Sequence, residues 1–254
     1  MKRLAQSKTV VVLVTCLLYY ACMAVGQWVM RYIGNTQYGT TGMLPWILPI
    51  ELAMIILLLY VTRRFFVGDT IGLGQVQGKR RWIDLALTIT PIALAGLLLL
   101  SWMTALSPQG LADIDKGILL TGIVGIGLVG ISEEWMFRGL VLHHFGAVKE
   151  WEAGLSRASQ ALIARGLARQ DWSSAGSKAI GITVNAILFS LLHAINVIGG
   201  YPPADVVNQL IGTLAFGVVF GVLAYWLPSI RPLMAWHFFW DYFTIVGSYV
   251  HTFR

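Results

Sequence analysis

The sequence predicts an all-α fold, a polytopic transmembrane helix bundle of about seven (seven to eight) spans, on three observations. Of its 254 residues 57% are hydrophobic and only 12% charged, with a mean hydropathy of +0.71; that balance excludes both an ordinary soluble domain and a disordered chain. Apolar stretches long enough to cross the bilayer, about 20 helical residues for about 30 Å of hydrocarbon, run over 10–30, 43–61, 83–103, 117–145, 179–198, 206–227 and 232–250. The basic residues fall between alternate stretches. No polar region is long enough to fold alone, so residues 1–254 are expected to form a single integral membrane domain.

The first stretch follows Lys2, Arg3 and Lys8 and continues well past Cys16 and Cys22. It reads as a retained span rather than a cleaved signal. The two cysteines sit six residues apart on different helix faces, which indicates neither a disulfide nor a metal site. In the second stretch Glu51 lies near the start, where an interfacial anchor or a partner for a neighbouring helix is expected. Arg63, Arg64, Lys79, Arg80 and Arg81 separate the second stretch from the third, with Gly68, Gly72, Gly74 and Gly78 among them. That segment reads as a loop held at anionic headgroups; it lacks the strand and helix context of a phosphate-binding loop.

Gly122, Gly125, Gly127 and Gly130 lead through the fourth stretch to Glu133 and Glu134, and Gly217 with Gly221 form a GxxxG in the sixth, near Gly212. Small residues at such spacings let helix backbones approach in lipid. His143 and His144 fall at the end of the fourth stretch, an interfacial position. Between the fourth and fifth, Trp151, Leu155, Ala158, Leu162 and Leu167 alternate with Arg157, Arg165 and Arg169 as in an amphipathic helix lying on the membrane. Trp236, Phe238, Phe239, Trp240, Tyr242 and Phe243 in the seventh stretch suit lipid-facing and interfacial packing. If the helices alternate, fourteen of the 18 Lys and Arg fall on one side, against Arg31, Lys116 and Arg254 on the other. The positive-inside rule then places the N-terminus in the cytoplasm and, with seven spans, the C-terminus outside, in the cell (plasma) membrane. The net charge of +6 thus marks topology, and no nucleic-acid partner is expected.

Ionisable groups inside spans cost at least ~2.5 to 3.5 kcal/mol each on insertion scales and mark function. Glu134 and Arg138 stand at i and i+4, close enough to pair, while Glu133 is rotated by about 100° and faces elsewhere. Phe189 and His193 share a face of the fifth stretch, and His237 and Asp241 share one of the seventh. Glu133, His193, His237 and Asp241 therefore offer two imidazoles and two carboxylates from three helices. That set suits hydrolysis by a Glu133-activated water with oxyanion stabilisation, a catalytic zinc site with the same four residues as ligands, or proton passage.

The segments Glu133-Glu134-x-x-x-Arg138, Phe189-x-x-x-His193 and His237-x-x-x-Asp241 resemble, in order and separation, the EExxxR, FxxxH and HxxxN/D motifs of the CAAX prenyl endopeptidase and bacteriocin-processing (ABI, CPBP) intramembrane proteases. The resemblance covers a core of about 117–245. It implies a cytoplasm-facing polar cavity in which Glu133 and His193 activate water for peptide hydrolysis, and Glu134, Arg138 and Phe189 support the site. It leaves zinc and a metal-free glutamate mechanism both open. Asp241 stands where the better-known members have Asn; an ionised Asp cannot donate to an oxyanion, so it must be protonated, ligate a metal or orient His237. The expected partners are membrane lipid and a peptide or lipidated-protein substrate, CAAX-type prenylated ones included. The alternative readings are a non-catalytic scaffold or immunity protein of the same fold and, further off, a proton-coupled transporter.

Overall fold

The computed structural model describes residues 2–66, 79–145 and 175–253. The glycine-rich stretch Gly68 to Gly78 and the amphipathic segment Trp151 to Arg169 lie outside the described residues. All regular structure among them is helical. α1 (Lys2–Tyr32), α2 (Leu44–Phe65), α3 (Lys79–Thr104) and a short α4 (Pro108–Asp113) lead to α5 (Lys116–Glu134), which runs on as π-helical turns (Trp135–Leu142). α6 (Ala175–Leu192) ends in a 3-10 turn (His193–Val197) and α7 (Pro203–Trp226) follows. α8 (Arg231–Asp241) continues through π-helical turns (Tyr242–Val246) into α9 (Gly247–His251).

Local chemistry sets these boundaries. The Asp115 carboxylate accepts the N–H groups of Gly117 and Ile118 at 2.8 and 3.0 Å and caps α5, and the Ser107 hydroxyl accepts that of Gly110 at 3.0 Å to cap α4. Each satisfies donors that helix geometry leaves unpaired. Proline opens α2, α4, α7 and α8, where no N–H is needed.

Among the described residues six helical stretches are long and apolar enough to cross a membrane: Lys8–Tyr32, Leu44–Phe65, Arg80–Thr104, Lys116–Phe145, Lys178–Val197 and Pro203–Trp226. The chain is an integral, multi-pass membrane protein. The seventh apolar stretch forms the broken run from α8 to α9. α5 is the central element, packed on both α2 and α8, while α6 pairs with α7 and α8 also rests on α3. The glycines make these approaches: a Cβ at Gly125 would stand 3.1 Å from the Leu48 backbone nitrogen, and one at Gly217 would stand 2.9 Å from Ala186 Cα.

The two ends of the bundle differ. At the end carrying Lys8, Phe66 and His144, the Lys8 ammonium lies 5.4 Å over the Phe66 ring and the Thr9 hydroxyl meets His144 Nε2 at 2.8 Å. Inward of them Val12, Cys16, Leu58, Val61, Phe137, Leu140 and Val141 pack into a dense apolar core. At the opposite end the 33–43 and 198–202 connections meet. Tyr38 donates its N–H to Gly199 at 2.9 Å, and the Tyr38 and Tyr201 rings stand edge to face at 5.5 Å. Gly39, at φ +83°, lies where a Cβ would meet the Tyr201 ring at 2.9 Å.

Two expectations are corrected. The aromatic residues of the last helix do not all face lipid: Trp240 and Phe243 are exposed, but Tyr242 is buried, stacked on Trp102 at 5.7 Å, and Phe238 packs beside it at 5.5 Å. Successive helical residues are rotated by about 100°, so six aromatics within the eight positions 236–243 cannot share one face. Glu51 is not at an interface either; it is 1% exposed and bonded to α5, the partner role rather than the anchor role. Asp84, near the start of α3, is similarly buried, accepting from the Ser229 hydroxyl at 2.6 Å and facing Arg231 at 3.5 Å. This clamp fixes the start of α8.

Candidate active site

The π-helical turns after α5 hold the centre of the site. Such turns widen a helix and recur at functional positions. Glu134 and Arg138 form the i, i+4 pair expected, with Arg138 Nη1 2.9 Å from Glu134 Oε1 and both side chains fully buried. The Arg138 guanidinium also lies over the Phe189 ring at 4.3 Å and the Phe220 ring at 5.4 Å. In a low-dielectric interior these π faces stabilise a cation that one carboxylate alone would hold less well.

On its other side Glu134 Oε1 accepts from His237 Nδ1 at 2.8 Å. This bond fixes the imidazole as the carboxylate partners of metal-ligating and catalytic histidines do. His237 Nε2 is thereby aimed at Glu133 Oε2, 3.7 Å away, and Asp241 Oδ2, 3.5 Å away. Both separations are ion-pair rather than hydrogen-bond distances. α8 reaches this position because α5 has a glycine where they cross: a Cβ at Gly130 would stand 2.7 Å from the Met234 carbonyl and 3.0 Å from the Phe238 nitrogen.

His193 comes from the end of α6. Its Nδ1 donates to the Phe189 carbonyl at 3.0 Å, which leaves Nε2 as the acceptor of a neutral ring. The Phe189 ring stands 5.1 Å from that of His193 and 5.9 Å from that of His237, so it spaces the two imidazoles. Glu133, His193, His237 and Asp241 all line a cavity of about 440 Å³, with Phe189, Phe216 and Glu51 in its wall. Glu134 and Arg138 lie behind that wall. Glu133 Oε2 is buried and accepts no hydrogen bond from the described residues, and Asp241 is 21% exposed.

Several contributors carry no motif. Glu51 accepts a short hydrogen bond from the Ser132 hydroxyl, which also meets the Tyr19 hydroxyl at 2.9 Å; this network backs the residue next to Glu133. A lone carboxylate with no polar residue at helical spacing gave no sign of it, though its presence in an otherwise apolar span was visible. Higher in the cavity, Gln27 Nε2 donates to Asn196 at 3.2 Å and Asn196 Nδ2 to Gln209 at 2.9 Å, an amide chain that ties α1, the 3-10 turn and α7 together. At the rim Tyr38 is partly buried, and burial first, then the Asp241 charge, holds its hydroxyl well above the usual phenol range; a hydrogen bond with Gln209 opposes them.

A zinc site needs three or four such donors converging at about 2 Å from one point. Among the described residues no three His, Cys, Asp or Glu side chains form a group that could hold a metal ion. The donor types suit zinc, but His237 commits Nδ1 to Glu134 and its Nε2 looks between two carboxylates. The model of the type II CAAX prenyl endopeptidase Rce1-like family matches residues 115–243, from the cap of α5 to the turns after α8. No curated protein and no solved structure matches the chain.

Proposed function

The chain belongs to the type II CAAX prenyl endopeptidase Rce1-like family, and on that premise we propose that it hydrolyses a peptide bond of a membrane-associated protein or peptide through a Glu133-activated water. The observation that carries this reading is Glu133 Oε2, buried in the cavity wall without a hydrogen-bond donor and facing His237 Nε2 across 3.7 Å. A buried carboxylate oxygen needs a donor, and a water between Glu133 and His193 supplies one.

In the reaction Glu133 removes a proton from that water as its oxygen bonds to the scissile carbonyl carbon. His193 Nε2 accepts the second water proton in a hydrogen bond and orients the lone pair. The carbonyl π electrons move to oxygen, where His237 Nε2–H donates to the oxyanion; a hydrogen bond from Nδ1 to Glu134 with two more carboxylates at ion-pair distance from Nε2 favours the imidazolium that this donation needs. The C–N bond then breaks and Glu133 returns its proton to the leaving nitrogen. Asp241 orients and counterbalances His237, a role open to Asp where an oxyanion donor would need Asn. Glu134, Arg138 and Phe189 hold the imidazoles in place. Membrane lipid is the other partner, and a prenyl chain is one anchor that would hold a substrate there.

The test is zinc content and peptide cleavage on one detergent-solubilised preparation of the native chain, Glu133→Gln and His193→Ala. Cleavage insensitive to chelators, lost at least ~10³-fold in Glu133→Gln and ~10²- to 10⁴-fold in His193→Ala, is the expected result. Stoichiometric zinc that disappears with cleavage in His193→Ala would replace the glutamate mechanism by a metalloprotease. A well-folded preparation that cleaves no peptide, a prenylated one included, would favour a scaffold.

A further inference from the structure

The cavity runs from Glu133 and His237 to a rim formed by Tyr38, Thr40 and Tyr201. That rim belongs to the 33–43 and 198–202 connections. Each follows or precedes its span at the end opposite Lys8, Arg64, Arg80 and Lys178. Towards the basic end the site is backed by Phe137, Leu140, Val141 and Leu58, none more than 2% exposed. Along the flank of the rim half, Thr244 and Ser248 line the cavity and are exposed, and Gly212 opposite them has nothing within 4 Å of a would-be Cβ. The wall between α7 and the last helix is therefore open toward the lipid on that half.

Among the described residues Lys8, Arg63, Arg64, Arg80, Arg81, Lys178 and Arg231 sit at the closed end, against Arg31 and Lys116 at the rim end. Excess Lys and Arg near span ends mark the cytoplasmic side. A cytoplasmic N-terminus and a cytoplasmic cavity mouth are thus incompatible on this geometry, and the charge asymmetry decides for the first.

We propose that the site takes its substrate from the extracytoplasmic side: an extended peptide segment of a membrane-anchored chain whose scissile bond is presented in the outer half of the bilayer. Lipidated C-termini held on the cytoplasmic face are excluded from this class. The word substrate rests on the endopeptidase reading; the sidedness does not.

The experiment places single cysteines in the full chain, with Cys16→Ala and Cys22→Ala as background, at the rim (Thr40→Cys) and at the basic end (Arg64→Cys). A membrane-impermeant maleimide is added to intact cells, to permeabilised cells and to detergent extracts. Thr40→Cys is expected to react in intact cells and Arg64→Cys only after permeabilisation. Thr40→Cys that reacts in detergent but is protected in intact cells overturns the proposal, as does Arg64→Cys labelled in intact cells. Where cleavage is measurable, a bulky maleimide on Thr40→Cys is expected to reduce it at least tenfold and one on Arg64→Cys to leave it unchanged; equal effects overturn the rim as the entrance. Labelling as expected with cleavage indifferent to Glu133→Gln would refute the catalytic reading alone.

Discussion

Gly130→Ala tests how the site is assembled. The added Cβ would lie 2.7 Å from the Met234 carbonyl oxygen, about 0.7 Å short of ordinary contact at 3.4 Å, and 3.0 Å from the Phe238 nitrogen. Both are backbone atoms, so no side chain can swing aside and α8 must retreat from α5. His237 precedes Phe238 and moves with it, away from Glu134 and Glu133. A 1 Å misplacement costs about 10²-fold in rate, so a shift of this size predicts a loss of about 10- to 100-fold in kcat/KM. Stability changes less, since overpacking costs about 1–3 kcal/mol and Ala gains up to about 1 kcal/mol over Gly in a helix. Gly127→Ala is the control: its Cβ would meet only the Phe238 ring, at 3.9 Å, and activity should stay within about twofold. The assay is steady-state cleavage on preparations matched for melting temperature and elution volume. Full activity in a folded Gly130→Ala protein would refute the claim that close approach of α8 sets the His237 position.

Other substitutions separate support from chemistry. Glu134→Gln leaves Arg138 buried without its counter-charge and is expected to cost about 3–5 kcal/mol; thermal unfolding in detergent measures it. Adding Arg138→Met should restore most of that stability without restoring cleavage, because the carboxylate behind His237 is still missing. Ser132→Ala deprives the buried Glu51 of its donor and predicts a loss of about 1–3 kcal/mol. Glu51→Gln keeps an acceptor for Ser132 and should unfold within about 1 kcal/mol of the native chain; equal destabilisation by the two would show that the carboxylate charge itself is required.

The helical spans were legible because apolar length is a one-dimensional property. The Glu134–Arg138 pair was legible because both partners lie on one helix at a spacing that forces them together. What joins separate helices was harder to read. Spacing assigned Glu133 a free direction, yet which glutamate would meet Nδ1 of His237 depends on where α8 crosses α5, and Gly130 announced only that something packs there. Glu51 stood alone in its span, and its meaning came from Ser132, more than eighty residues away. The amide chain through Gln27, Asn196 and Gln209 was invisible for the same reason, its members coming from α1, the 3-10 turn and α7 with no local spacing that joins them. The π-helical turns left no compositional trace. Residues read as a lipid-facing aromatic cluster divide between faces because near-consecutive helical positions point about 100° apart, and which of them meet Trp102 depends on how α8 packs on α3.

The aromatic-boxed ion pair of Arg138 and Glu134 also bears on how the protein is made. A span entering the membrane during synthesis must stand alone until later ones arrive, and an unpaired Arg at its centre costs about 2.5–3.5 kcal/mol on insertion scales. Because the counter-charge is carried four residues away on the same helix, α5 enters the bilayer with this cation already compensated. His237 is 103 residues downstream of Glu134, so the nascent chain holds Glu133 without its imidazole partner until the last span is in place. The Glu133, His193, His237 and Asp241 side chains of the cavity thus come together only once α8 has packed against α5, long after the Glu134–Arg138 pair is formed.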